Sequence, residues 1–184
     1  QTSAPGYYRF MLGNFEVTAL SDGTVDLPVD QLLQEPAAKT VAALNHAFQK
    51  TPQETSDNAY LINTGKRLIL IDTGAGDLFG PTLGKLMGNL KASGYTAAEV
   101  DDILLTHMHP DHIGGLAKNS VIQFPNAIVH AERDEGNYWL SETNLAKAPD
   151  ASKAFFNDAM AELDPYVKAG KFRPFNGDVA LLPG

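Results

Sequence analysis

Short apolar runs alternate with glycine-containing and polar turns along the chain, a pattern that predicts a series of short strands. Strands are expected at residues 7–11, 15–20, 59–62, 67–71, 100–105 and 127–130. The first two are predicted to form a hairpin around Gly13-Asn14. Residues 67–71 are almost continuously apolar, which is typical of a strand that is buried on both faces.

Apolar positions at helical spacing predict helices between these strands. The helical segments are expected at residues 41–48, 83–90, 132–140 and 156–163. Pro81 suits the first turn of the second helix, and Gly94 is expected to end it. Short strands mixed with helices in this way predict an α/β or α+β layered fold. The chain shows no internal repeat and no internal domain boundary.

Composition limits the classes of protein to which the chain can belong. Its 184 residues are 43% hydrophobic, which is enough to bury the core of one domain or of part of a larger one. The net charge of −8, from 14 Lys and Arg against 22 Asp and Glu, argues against a general nucleic-acid binder. No apolar run approaches the ~18–20 residues of a membrane span. Because the chain has no cysteine, disulfides and thiolate metal sites are excluded.

The two ends of the sequence suggest processing or truncation. Residues 1–6 contain no initiator Met, no basic stretch and no apolar segment. An exported, periplasmic protein whose signal peptide has been removed is one alternative for a localisation that stays open. Residues 179–184 predict a short strand that runs into a turn. Domains seldom end in this way, so an incomplete chain stays open as an alternative.

Three of the five histidines lie within six residues of one another, directly after a predicted strand. His107 and His109 are two positions apart, so on an extended segment they face the same side and can bind one metal ion. Pro110 ends that segment, and Asp111 and His112 after the bend can face a second metal ion. Two metal ions about 3.5–4 Å apart can share one hydroxide, as in two-metal hydrolysis. The segment therefore predicts a centre for two divalent metal ions, with zinc as the expected metal.

The sequence His-x-His-x-Asp-His before Gly114-Gly115, with Asp72-Thr73-Gly74 after an earlier strand, resembles the metallo-β-lactamase superfamily. Four longer segments resemble its methyl parathion hydrolase branch, which are dizinc organophosphate triesterases; they are residues 4–9, 21–25, 78–84 and 166–172. This resemblance covers nearly the whole chain. It implies an αββα sandwich, an α/β fold of which residues 1–184 would form the N-terminal αβ half of a single domain.

The resemblance also indicates what the chain lacks. Members of the superfamily complete the two metal sites with further histidines and a bridging carboxylate downstream of the motif. Only His130 follows His112, and it lies in a predicted strand rather than in a Gly-His-Thr sequence. His130 and His46 are therefore expected to be structural or surface residues. A downstream half of the fold is expected to supply the remaining ligands, and a catalytically incomplete fragment is the alternative.

Four further residues carry site predictions. Asp72 is either a turn residue or an acceptor for the ring N–H of a metal-binding histidine. The resemblance places Phe79, Trp139 and Phe155 around the mouth of the pocket, where they would bind an aromatic leaving group; burial in the core is the alternative. Three other acidic residues are expected to have only local roles, at a turn or at the start of a strand: Asp22, Asp101 and Asp102.

The resemblance implies a dinuclear-metal hydrolase that cleaves organophosphate triesters of the methyl parathion or paraoxon type, and also lactones. A metal-bridging hydroxide would attack the substrate, and Asp111 would act in catalysis as a metal ligand. An acyl-homoserine lactonase, a thioesterase and a β-lactamase of the same superfamily are the alternatives, because the motif cannot separate them. The expected partners are a small-molecule substrate and, from the branch resemblance, a second copy of the chain; neither nucleic acid nor a membrane is expected.

Overall fold

The computed structural model of the chain describes residues 4–181 and contains one mixed sheet of six strands. In spatial order these are β1 (Tyr7–Leu12), β2 (Phe15–Leu27), β3 (Gln53–Asn63), β4 (Leu68–Ile71), β5 (Asp102–Leu104) and β8 (Ile128–His130). From β1 to β4, each strand is antiparallel to the next one in the sheet. Strands β4, β5 and β8 are parallel. A second, two-stranded sheet consists of β6 (Ala117–Lys118) and β7 (Val121–Ile122).

Helices occupy the connections between the strands. The helices are α1 (Val29–Leu32), α2 (Ala37–His46), α3 (Leu86–Ala92), α4 (Pro110–Ile113), α5 (Arg133–Trp139), α6 (Glu142–Lys147) and α7 (Asp150–Lys168), with a short 3-10 helix at Ala97–Glu99. Within residues 4–181, no helix is long and apolar enough to cross a membrane.

The core lies between one face of the large sheet and the helices. Leu61, Leu70, Ile103 and Val129 form one row across four neighbouring strands, and all four are buried. They belong to a single apolar cluster with residues of α3, α5 and α7, which are Leu86, Leu90, Trp139, Phe156 and Leu163. Full burial of a side chain of this size contributes about 1.5–3 kcal/mol. The α/β class predicted from the sequence is confirmed.

The other face of the sheet is apolar and exposed in this chain. Tyr8, Phe10 and Leu12 project from alternate positions of β1, with Phe15 of β2 and Tyr60 of β3 on the same side. Each of these side chains is at least 40% exposed. An apolar sheet face is normally covered by a second layer of structure. The assignment of residues 1–184 to one half of a single domain stays a prediction.

The parallel part of the sheet positions the candidate site. Because β4, β5 and β8 run in the same direction, the loops that follow them emerge at one edge of the sheet. Asp72 follows β4, and the histidine motif follows β5. The N–H of Thr73 donates to the carbonyl of His112 at 2.8 Å, which joins the two loops. Glycine allows this close approach, since a Cβ atom on Gly76 would lie 2.0 Å from the carbonyl oxygen of Gly114.

Asp22 is not the simple turn residue that the sequence predicts. It is fully buried, and β2 continues through it with a bulge. Its carboxylate accepts hydrogen bonds from the N–H groups of Ala75 (3.0 Å), Gly84 (2.8 Å) and Leu86 (2.8 Å). These bonds hold the loop after β4 against the sheet. They also explain why α3 begins at Leu86, later than the predicted start of this helix.

Other element boundaries differ for local reasons. Phe48 has a positive φ of 58° and a fully exposed ring, so it lies beyond α2 rather than on its apolar face. β3 begins at Gln53, earlier than predicted, because its polar first half pairs with β2. Glu132 precedes α5 and caps that helix with its side chain. The strand expected at the C-terminal end is absent from residues 179–181, and residues 182–184 lie outside the described part of the chain.

Candidate metal centre

The segment between β5 and α4 brings three histidine rings together. His107 and His109 precede Pro110, and their ring centroids are 4.5 Å apart. His112 lies in α4, and its ring centroid is 4.0 Å from that of His107. Pro110 begins α4 and makes the bend that returns His112 towards the other rings. The fold therefore assembles the three histidines that the sequence predicts as metal ligands.

Asp72, at the carboxyl end of β4, holds this segment in place. Its Oδ1 accepts the backbone N–H of Thr106 at 2.8 Å, and its Oδ2 accepts the Thr106 hydroxyl at 2.8 Å. Oδ2 also lies 2.8 Å from Nδ1 of His112. A proton on Nδ1 that bonds to Asp72 leaves Nε2 of His112 available to a metal ion. Of the two interpretations of Asp72, this geometry matches the acceptor for a metal-binding histidine.

Thr106 extends the arrangement to a second histidine, a role that sequence reasoning missed. Its hydroxyl oxygen lies 3.1 Å from Nδ1 of His107, while the hydroxyl donates to Asp72. Nδ1–H of His107 can therefore donate to Thr106, which leaves Nε2 of His107 for a metal ion. The available signal is a hydroxyl residue directly before the first histidine. Spacing alone does not show that the hydroxyl turns towards Asp72.

Asp111 and His112 form an ion pair beside the cavity. Oδ2 of Asp111 lies 3.4 Å from Nε2 of His112. Burial opposes the charged form of both residues. Contacts with Asp111 and Asp72 nevertheless raise the pKa of His112 to about 10, and the contact with His112 lowers the pKa of Asp111 below its ordinary value. Burial, with the neighbouring rings of His112 and His109, lowers the pKa of His107. The carboxylates therefore favour positive charge here, as expected where a divalent cation binds.

The donor atoms of the histidine motif suit a metal ion, but their arrangement in the described residues does not enclose one. Imidazole nitrogen and carboxylate oxygen are both ligands of zinc. Within residues 4–181, however, no group of three histidine, aspartate or glutamate side chains is arranged so that it could hold a metal ion. The assignment of His107 and His109 to one metal ion, and of Asp111 and His112 to a second, stays a prediction.

The motif opens onto a cavity of about 440 Å³. Its walls are largely apolar and include Val25, Leu27, Leu32, Phe79, Leu83 and Phe155. Its polar lining includes His109, Asp111, His112 and Asp57. No lysine or arginine lines this cavity in the part of the chain that the structure describes. The cavity therefore suits an uncharged, partly apolar molecule beside a cation.

Asp57 of β3 is a carboxylate that no sequence pattern marks. It lines the cavity together with Asp111 and His112. Its Oδ2 is buried and has no hydrogen-bond partner among residues 4–181. Burial, with the charges of Asp22 and Asp111, raises the pKa of Asp57 to about 7. Only the folded sheet brings β3 to the cavity, so local spacing carries no signal of this residue.

The three predicted aromatic pocket residues occupy different places. Phe79 and Phe155 line the cavity, and the ring centroid of Phe155 is 5.5 Å from that of His109. Trp139 is 9% exposed and packs in the core against Phe156, with its ring centroid 5.3 Å from that of His109. It is not among the residues that line the cavity. Trp139 thus supports His109 from the core side, and contact of the three residues with a substrate stays a prediction.

Asp102 and His130 form a buried pair outside the histidine cluster. Nε2 of His130 lies 3.0 Å from Oδ1 of Asp102, and Oδ2 of Asp102 accepts from Nε of Arg67 at 2.7 Å. The expectation that Asp102 has only a local role at a strand start is therefore wrong, because its charge is paired in the interior. Asp101 lies at the strand start, as predicted, and its carboxylate accepts the backbone N–H of Leu68 in the neighbouring strand β4. His46 is exposed at the end of α2.

Comparison with known proteins identifies the family. The profile of the metallo-beta-lactamase superfamily matches residues 53–179, so the chain belongs to this superfamily. The resemblance observed in the sequence is confirmed at that level.

Two solved structures and one curated relative illustrate the similarity. Hydrolase AbOPH, of the beta lactamase superfamily, is 38% identical to this chain and superposes on it with a TM-score of 0.89. The match covers 98% of this chain and 64% of AbOPH. AidC, a dizinc quorum-quenching lactonase, is 25% identical to this chain and superposes on it with a TM-score of 0.83. The match covers 96% of this chain and 63% of AidC. An atrochrysone carboxyl ACP thioesterase of Passalora fulva is 47% identical over 60 residues, 33% of this chain and 16% of that protein. The chain thus spans less than two thirds of each of these relatives.

Proposed function

We propose that the complete protein is a dinuclear-metal hydrolase that cleaves organophosphate triesters of the methyl parathion or paraoxon type. The observation that carries this proposal is the cluster of His107, His109, Asp111 and His112, which Asp72 holds beside an apolar cavity. Superfamily membership and the similarity to hydrolase AbOPH support it. Membership of the methyl parathion hydrolase branch is part of the proposal.

The four residues of the cluster would hold two divalent metal ions, and their donor atoms suit zinc. When bound, such ions supply a hydroxide near neutral pH and polarise an oxygen of the substrate. Asp111 would contribute the negative charge that retains one ion. Asp72 would keep the proton of His112 on Nδ1, so that Nε2 stays available. Residues downstream of this chain would supply the remaining ligands.

The cavity walls favour a neutral and partly apolar substrate. Phe79 and Phe155 offer aromatic surface to an aryl leaving group, and one stacked pair is worth about 0.5–1.5 kcal/mol. Because no lysine or arginine lines the described part of the cavity, an anionic group of a substrate that lies away from the metal centre lacks a side-chain counter-charge there. A β-lactam antibiotic carries a carboxylate, whereas a triester or a lactone is uncharged.

A lactonase is the second candidate function. AidC, a dizinc quorum-quenching lactonase, matches 96% of this chain at 25% identity. A lactone presents a carbonyl in place of the phosphoryl group, so one site can serve both reactions. The similarity to the thioesterase of Passalora fulva covers a third of the chain and carries less weight.

The proposal is tested by hydrolysis with the purified protein and zinc. Paraoxon, an acyl-homoserine lactone and a β-lactam are assayed in parallel, before and after chelation. We expect the fastest turnover with the triester, loss of activity on chelation and recovery with zinc. Triester hydrolysis that survives chelation, or hydrolysis of the β-lactam alone, would overturn the proposal.

The variant Asp111→Asn tests the metal site itself. Asn keeps the shape of the side chain but removes its charge, so we expect most activity and bound zinc to be lost while the circular dichroism stays native-like. Asp134→Asn, on the exposed surface of α5, is the matched control. Full turnover by Asp111→Asn would contradict its role as a metal ligand.

Two further proposals concern the assembly and location of the protein. A homodimer follows from the branch resemblance alone and is checked by analytical ultracentrifugation. An exported, periplasmic location is the alternative to be checked by fractionation of the source cells.

A further inference from the structure

We propose that Asp57 is a further carboxylate of the metal centre, which strengthens cation binding from strand β3. This inference rests on the metal site of the proposed function. Asp57 lines the same cavity as Asp111 and His112, although it lies outside their motif in the sequence.

The first observation is the environment of the Asp57 carboxylate. Its Oδ2 is buried, and none of residues 4–181 donates a hydrogen bond to it. Buried polar atoms in folded proteins nearly always have a partner, because an unpaired one destabilises the fold. A cation in the cavity, or a water molecule that such a cation holds, would supply the missing partner.

The second observation is the balance of charge. The charges near Asp57 are those of three other carboxylates, Asp22, Asp72 and Asp111, and the opposing charge of His112. Asp22 is neutralised by three backbone N–H groups, and Asp72 by bonds from Thr106 and His112. Asp57 has no comparable donor at Oδ2 within the described residues. Three further carboxylates against one positively charged histidine leave the surroundings of Asp57 net negative, which favours a cation in the cavity.

The third observation is the position of Asp57 in the sheet. It pairs with Gly23, beside the bulge in β2 at which the register shifts. A bulge re-aims the neighbouring side chains and is frequent beside active sites. The bulge lies in β2, and β3 alternates regularly past it, so Asp57 is on the same face of β3 as the buried residues Ala59 and Leu61.

The test separates metal binding from stability. The complete protein, as wild type and as Asp57→Asn, is titrated with Zn²⁺ against a chromophoric chelator, and thermal unfolding is recorded with and without EDTA. We expect Asp57→Asn to weaken zinc binding about tenfold. In EDTA its Tm should rise, because the substitution removes an unpaired buried charge. Asp26→Asn, an exposed residue of β2, is the matched control and should change neither quantity.

Each outcome is informative. If the wild type binds zinc and Asp57→Asn binds it equally well, the role of Asp57 is wrong while the metal site stands. A lower Tm of Asp57→Asn in EDTA would indicate a structural role and also overturn the inference. A complete wild-type protein that binds no zinc would overturn the metal site and the role of Asp57 together. Asp57→Ala, checked by circular dichroism, should repeat the loss of affinity if the Asn variant folds poorly.

Discussion

Nδ1 of His112 lies 2.8 Å from Oδ2 of Asp72, and this contact joins two loops that are 40 positions apart in the sequence. Asp72 has a positive φ of 59°, which is uncommon for a residue other than glycine. Its backbone N–H donates to the carbonyl of Leu104 at 3.1 Å, and its carboxylate accepts from Thr106. The surrounding bonds therefore maintain a backbone conformation that aims the carboxylate at the histidine motif.

Replacement of Asp72 by Asn is expected to weaken metal binding. The amide can donate to Nδ1 of His112 and so move the ring proton to Nε2, the nitrogen that the metal ion needs. We expect zinc affinity to fall about 10–100-fold, as is typical for partners of metal-binding histidines. Nitrogen-15 NMR of the His112 ring checks the change of tautomer. Asp77→Asn, exposed in the same loop, is the control, and unchanged affinity in Asp72→Asn would contradict the assignment.

The aromatic residues are expected to separate into pocket and core. Phe79→Ala should raise KM for an aryl triester about three- to tenfold, since one stacking contact is lost, and should change Tm little. Trp139→Ala should instead destabilise the protein by about 3–5 kcal/mol, because its ring is buried against Phe156. Substrate titrations and urea unfolding measure the two effects. A raised KM with unchanged stability in Trp139→Ala would place that ring in the pocket instead.

Asp22→Asn is expected to loosen the loop after β4. Asn retains one carbonyl oxygen and turns an NH₂ group towards donors, so at least one of the three backbone N–H groups loses its acceptor. Hydrogen bonds to a charged group contribute about 1.5–3 kcal/mol each, and we expect a loss of about 3 kcal/mol in the free energy of unfolding. Urea denaturation measures this loss, with Asp26→Asn as the exposed control. A change below about 1 kcal/mol would show that the loop does not depend on the charge.

The stability of the protein should depend on pH through Glu162. Burial raises the pKa of this carboxyl to about 8, although the N–H of Ala117 donates to it at 2.6 Å. The folded pKa lies above the unfolded value near 4.5, so the stabilising contribution is complete below about pH 4.5 and declines as pH rises towards 8. A difference of one between the folded and unfolded pKa values corresponds to about 1.4 kcal/mol in the free energy of unfolding.

Glu162→Gln should remove this dependence. The variant keeps a carbonyl acceptor for Ala117 but cannot ionise, so its Tm should exceed that of the wild type at pH 8.5 by more than at pH 5. Thermal unfolding at both pH values measures the difference. Glu142→Gln, exposed on α6, controls for the loss of one surface charge. Equal differences at the two pH values would mean that Glu162 ionises normally in the folded protein.

Several features of the protein follow from the sequence by itself, because they depend on neighbours along the chain. Alternating apolar runs and helical spacing are local patterns, and they predict the α/β class and most of the elements. The convergence of His107, His109 and His112 is also local, since an extended stretch followed by a proline bend suffices to produce it. The same short motif is specific enough to indicate the superfamily, which the family profile confirms.

Only the tertiary structure decides the residues that surround this motif. Asp22 binds N–H groups more than 50 positions away, and Asp57 reaches the cavity through the register of β3. Trp139 lies in the core behind His109, the alternative to the pocket position that the family resemblance implied. These outcomes depend on which strands pair and how loops pack across one edge of the sheet. Such contacts join distant segments and leave no local pattern, so a single sequence could not reveal them.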